Sequence, residues 1–174
     1  MSLLPILAIW LLAFLARLAS GKRSSENERA LRAQGAVEHG RRTTAAIILL
    51  HLAIYLGALV EALVRGPSFG LLTIVGAALL ALAFLVLRQV QKDMGPVWTG
   101  KLFIAPRHPV AKTWLFRTFR HPNYLLNVAP ELVGLILVTQ AWFTGLLLLP
   151  YAACILLRIR QEEAAMAAVP GWKG

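Results

Sequence analysis

Long apolar runs constrain this chain more than any other feature. Residues 3–19 read "LLPILAIWLLAFLARLA", residues 44–64 "TAAIILLHLAIYLGALVEALV" and residues 69–87 "FGLLTIVGAALLALAFLVL"; residues 123–157 form a fourth run of 35 positions. A hydrocarbon core of roughly 30 Å takes about 20 helical residues at about 1.5 Å each. The fourth run would reach about 52 Å as one helix, so its length predicts a tight hairpin turning near Thr139-Gln140. The expected fold is an all-α integral membrane protein in one domain, residues 1–174. About five transmembrane helices are expected, at 3–19, 44–64, 69–87, 123–138 and 142–157. No Lys or Arg precedes the first run, which favours a retained crossing over a cleaved signal peptide.

Charge is confined to the gaps. Only 15% of residues are charged, where soluble domains average about 25%. The 18 Lys and Arg outnumber 8 Asp and Glu, for a net charge of +10. Seven of the cations fall in 17–43, one in 65–68, seven in 88–122, none in 139–141 and three from Arg158 onward. This alternation predicts an outside N-terminus, with segments 20–43, 88–122 and 158–174 in the cytoplasm. The basic excess is then expected to face a membrane and not nucleic acid. The cluster Ser24-Ser25-Glu26-Asn27 reads as the cap of a short surface helix through Leu31, with Gly35 and Gly40 breaking the chain beyond it. Segment 88–122 carries Val97, Trp98, Phe103, Trp114 and Phe116 among its cations, as a folded segment at the membrane surface does. The single Cys154 excludes an intrachain disulfide and reads as a buried inert thiol.

Within or beside the apolar runs stand His51, Glu61, His121, Tyr124, Glu131, Arg158 and Glu162. Ionisable groups at membrane depth cost about 2.5–3.5 kcal/mol on insertion scales, so they usually face a protein interior or a wet cavity. Arg158 and Glu162 are four apart and share a helix face. Pro122 in "RHPNY" suits the first turn of a helix, where its missing N–H costs nothing. His51 and Glu61 are ten apart, about 280° around a helix, and belong to different faces. Glu61 is expected to snorkel, and His51 to line a cavity or hydrogen-bond to another helix. No H-x-x-x-H or H-E-x-x-H spacing occurs, so no metal is expected.

"FRHPNYLLNVAPELVG" followed by "RIRQEEAAM", with "PVWTGKLFIAPRHPVAKTW" and "SSENERALRAQGAVEHG" upstream, resembles the isoprenylcysteine carboxyl methyltransferase family, in its short bacterial branch. Membrane reductases of the sterol and steroid type carry a similar RHPNY followed closely by Gly-Glu. Here Leu125-Leu126 follow and Glu131 comes seven residues after Tyr124, which favours the methyltransferases.

The resemblance implies an S-adenosylmethionine-dependent enzyme of a bacterial inner membrane. Its cofactor pocket would open to the cytosol, and its lipophilic or prenylated acceptor would come from the bilayer. It also implies that His108, Pro109, Val110, Ala111 and Phe116 bind the cofactor, with His121, Pro122, Asn123, Tyr124 and Glu162. Arg158 would be the catalytic residue facing the acceptor, with Glu131 as a second substrate-binding group. Phe116 stands where the family usually has Tyr, so a ring is kept and a hydroxyl lost. The acceptor oxygen would belong to a carboxylate or to an enol or phenol. An NADPH-dependent reductase and a non-enzymatic scaffold or transporter are the alternative readings.

Overall fold

The computed structural model describes residues 3–106, 108–169 and 172. Its helices are α1 (Leu3–Ala33), α2 (Arg41–Arg65), α3 (Leu71–Met94), α4 (Trp114–Thr118), α5 (Ala129–Thr139), α6 (Trp142–Gly145) and α7 (Leu148–Met166). A 3-10 turn, Gly95–Val97, extends α3, and a π-helical turn, Asn123–Val128, leads into α5. Four helical stretches are long and apolar enough to cross a bilayer: α1, α2, Leu71–Val97 and Trp142–Met166. The shorter apolar Asn123–Thr139 stands beside them. The chain is a mostly helical multi-pass membrane protein whose last two apolar helices form the expected hairpin, closed by Gln140 in the left-handed conformation. Side chains such as Leu49, Val64, Leu85 and Leu149 point outward along these helices, as lipid contact requires.

Two features of the backbone depart from the sequence reading. First, α1 does not stop at residue 19 and restart as a short capped helix; it runs unbroken to Ala33. Ser24 and Asn27 are therefore not capping residues. Ser24 bonds to Glu28 one turn on, and Asn27 donates to the Trp98 carbonyl at 2.7 Å. Second, the fold has two short strands, β1 (Val37–His39) and β2 (Leu102–Ile104). They pair antiparallel, with Glu38 opposite Phe103.

The apolar core lies where α1, α2 and α5 converge: Ile6, Trp10, Ile54, Ala58, Leu132 and Leu135 are all buried there. The closest helix approach is between α3 and α5. A Cβ on Gly76 would sit 2.6 Å from the Gly134 carbonyl oxygen, so backbone meets backbone. Helix α7 packs mainly on α2. Gly40, at φ +63°, opens α2 and leaves room for Gln161, whose amide donates to Thr43. Glu61 does not snorkel. Its carboxylate accepts the Phe143 and Thr144 N–H groups and so caps α6. These connections gather the ribbon, the far half of α1, segment 95–122 and the C-terminal end of α7 at one end of the bundle.

Candidate active site

At that end the chain surrounds a cavity of about 930 Å³. His108, Pro109, Val110 and Ala111 form one wall, Phe116 joins them from α4, and His121, Pro122, Asn123 and Tyr124 close the membrane side. Glu162 enters from α7. A π-helical turn adds a residue to the α5 entry and re-aims its side chains. The His121 carbonyl accepts both the Tyr124 and the Leu125 N–H at 3.1 Å. Asn127, one turn further, donates to Asn123 at 3.0 Å.

The polar centre of this cavity is built between α7 and RHPNY. The Tyr124 hydroxyl donates to Glu162 at 2.7 Å. His121 is buried, with Nδ1 3.6 Å from Glu162 and Nε2 3.3 Å from Glu163. Arg120 reaches Glu163 at 3.1 Å. The Glu162 carboxylate, aided by Glu163, raises the His121 pKa by favouring the imidazolium. His108 is shifted the opposite way, because burial disfavours its charged form.

All ten residues expected from the sequence to hold a cofactor line this cavity; Arg158 and Glu131 do not. Arg158 is buried on α7, one turn deeper than Glu162, and its Nη2 donates to Thr44 of α2. Its Nη1 has no hydrogen-bond partner among the described residues. Glu131 is fully buried inside the helix bundle. Arg17 of α1 is ion-paired to it and donates through Nε at 2.8 Å, and the Tyr55 hydroxyl donates at 2.7 Å. Sequence reasoning passed over Asp93, Lys101, Lys112 and Arg117, which also line the cavity. Asp93 had a visible sign: it is the only acidic residue in segment 88–122. It accepts a hydrogen bond from Thr113 at 2.7 Å and so ties α3 to the cavity wall.

The fold and site define a class: a multi-pass membrane protein with a polar, titratable cavity at one end of an apolar bundle. The model of the isoprenylcysteine carboxyl methyltransferase family matches residues 72–168, more than half of the chain. An uncharacterized protein of Haemophilus influenzae is 40% identical over 145 residues, covering 83% of this chain and 84% of that one. The uncharacterized protein YpbQ of Bacillus subtilis is 29% identical over 144 residues, covering 81% and 84%. No solved structure matches significantly. The chain belongs to the isoprenylcysteine carboxyl methyltransferase family, a family of membrane methyltransferases.

Proposed function

We propose that the protein transfers a methyl group from S-adenosylmethionine to an oxygen of a lipophilic acceptor at the membrane boundary. The observation that carries this reading is the cavity whose polar centre, Glu162 with Tyr124 and His121, lies one helical turn from the unpartnered Nη1 of Arg158. The residues present fit the cofactor. His121 Nδ1 is buried without a hydrogen-bond partner among the described residues, and about 930 Å³ is ample for a ligand of that size. Glu162 supplies an anion for ribose hydroxyls or an ammonium group. Lys101, Lys112, Arg117 and Arg120 supply cations for a carboxylate. Trp98, Phe103 and Phe116 supply faces for a purine.

When bound, S-adenosylmethionine supplies an electrophilic methyl carbon on a sulfonium. The chain's task is alignment, because in-line displacement needs the reacting atoms about 3–3.5 Å apart. Arg158 is the catalytic residue in this reading. Its Nη2 is anchored on Thr44, so Nη1 has a fixed direction from which to orient an acceptor oxygen. Its hold must be modest, since negative charge leaves that oxygen as the bond forms. The whole chain acts as one domain. The cavity faces the cytoplasm of a bacterial cell, a reading supported by the basic gaps at that end of the bundle.

The test is ligand protection followed by transfer. S-adenosylhomocysteine, and not NADPH, should raise the unfolding temperature of the purified protein. Labelled methyl should then pass from S-adenosylmethionine to a lipid extract. Glu162→Ala weakens S-adenosylhomocysteine binding about tenfold to a hundredfold, the range for a charged hydrogen bond. Protection by NADPH alone would instead identify a reductase.

A further inference from the structure

A line of side-chain amides runs from the cavity wall into the bundle. Asn123 lines the cavity, and its Oδ1 accepts a hydrogen bond from Asn127 Nδ2 at 3.0 Å. Asn127 is fully buried, and its Oδ1 faces Nη2 of Arg17, on α1, at 3.5 Å. Arg17 is in turn ion-paired to Glu131 of α5. Beyond that pair the cluster is closed. Tyr55 donates to the Glu131 carboxylate, His51 Nε2 stands 3.5 Å from it, and His51 Nδ1 is 3.0 Å from the Tyr151 hydroxyl of α7. Of these groups only Asn123 lines the cavity.

Chemistry dictates the direction of each bond in the line. A guanidinium has five N–H donors and no acceptor, whereas a side-chain amide has one end of each kind. Asn127 must therefore turn its oxygen to Arg17. Its nitrogen is left to donate, and the atom it reaches is the oxygen of Asn123. With that oxygen engaged, the NH₂ group is the end of Asn123 left for the cavity. Turning either amide over would set donor against donor, and an unmet buried polar group costs about 1–3 kcal/mol. Holding α1 to α5 needs only the pair Arg17–Glu131. A leucine at 127 would fill the same buried place without taking an amide out of water.

We propose that Arg17 and Asn127 are positioning residues that fix the polarity of Asn123, so that the cavity offers an N–H donor there to an acceptor atom of the ligand, an oxygen or a ring nitrogen. The inference rests on the methyltransferase reading above, in which that ligand is S-adenosylmethionine. Neither residue touches the ligand; both act through Asn123. A donor whose direction is set before binding loses little freedom when the ligand arrives. Asn123 and Asn127 both belong to the π-helical turn, a device often found at functional sites. Arg17 lies outside residues 72–168, so a helix beyond the family model sets the polarity of a wall inside it.

A double-mutant cycle tests this, with S-adenosylhomocysteine titrated calorimetrically into the purified full-length protein. Asn127→Asp keeps an oxygen for Arg17 but turns its other oxygen to Asn123. The Asn123 amide must then turn over to donate inward, and its own oxygen faces the ligand. Affinity should fall about tenfold, the scale of a hydrogen bond left unmade. Asn123→Ala should lose about as much. The double variant should bind within about twofold of Asn123→Ala, because without Asn123 there is no polarity left to invert. Asn127→Leu, which removes the donor without adding a carboxylate, should show the same coupling and serves if Asn127→Asp fails to fold. Losses that multiply in the double variant would make Asn127 a packing residue and overturn the proposal, as would unchanged binding by both Asn127 variants. Failure of the native protein to bind S-adenosylhomocysteine would overturn the proposed function itself, on which this inference stands.

Discussion

His121 is held between two carboxylates of α7, with Glu162 on one ring nitrogen and Glu163 on the other. Its pKa is raised, so the sign of its contribution follows. The imidazolium contact is fully present below the ordinary histidine value of about 6.5 and is lost as pH rises through the raised value. Ring NMR should show His121 titrating above that value and His108, shifted down by burial, below it. His121→Gln should remove the higher titration and the stability that falls with rising pH. Tyr124→Phe tests the neighbouring bond. It leaves Glu162 without its 2.7 Å hydroxyl donor and should weaken S-adenosylhomocysteine binding about fivefold, equivalent to about 1 kcal/mol. Isothermal titration calorimetry measures that loss.

At the scale of elements, α5 carries two kinds of surface. One side meets α3 backbone to backbone through Gly134 and Gly76. The other presents Glu131, which continues Asn123 and Asn127 of the preceding π-helical turn as a polar stripe from the cavity into the bundle that ends on Arg17. Gly76→Val places side-chain atoms against the Gly134 carbonyl and the Val138 amide, which lie 2.6 and 2.7 Å from a built Cβ. The helices must separate, with a typical overpacking cost of about 1–3 kcal/mol. Unfolding in mixed micelles should report that loss, and separation of α5 from α3 should also lower ligand protection at the cavity. The continuity of α1 belongs to this scale too. Hydropathy marks where lipid ends, not where a helix ends. Residues 22–33 hold no Gly or Pro to stop α1, so it continues until Gly35 at φ +79°.

For the molecule as a whole, orientation is the open physical question that charge addresses. The sequence carries seven cations in 17–43 and seven in 88–122, against one in 65–68. The positive-inside rule predicts that a fluorescent protein fused after residue 174 lights up in the cytoplasm, while a reporter fused at the N-terminus is active outside it. Much of this arrangement was legible in the chain. Apolar runs marked the long apolar helices, because a bilayer demands a set length of helix. The cavity-lining residues were legible because HPVA and RHPNY are continuous segments, each of which can form a wall by itself. Glu162 was legible through its four-residue spacing from Arg158. That same spacing predicted one shared face, and here the sequence ran out. Which helix α7 leans on depends on Gly40 admitting Gln161 and on Thr44 receiving Arg158, contacts more than 100 residues apart. By itself the sequence determined the membrane-spanning class, the apolar helices and the local motifs, since these follow from periodicity and short-range chemistry. Only the tertiary structure decided that Arg158 turns to α2 and that Glu131 joins Arg17, His51 and Tyr151. Inside a bilayer a buried charge must find its partner on another helix, and no local rule says which.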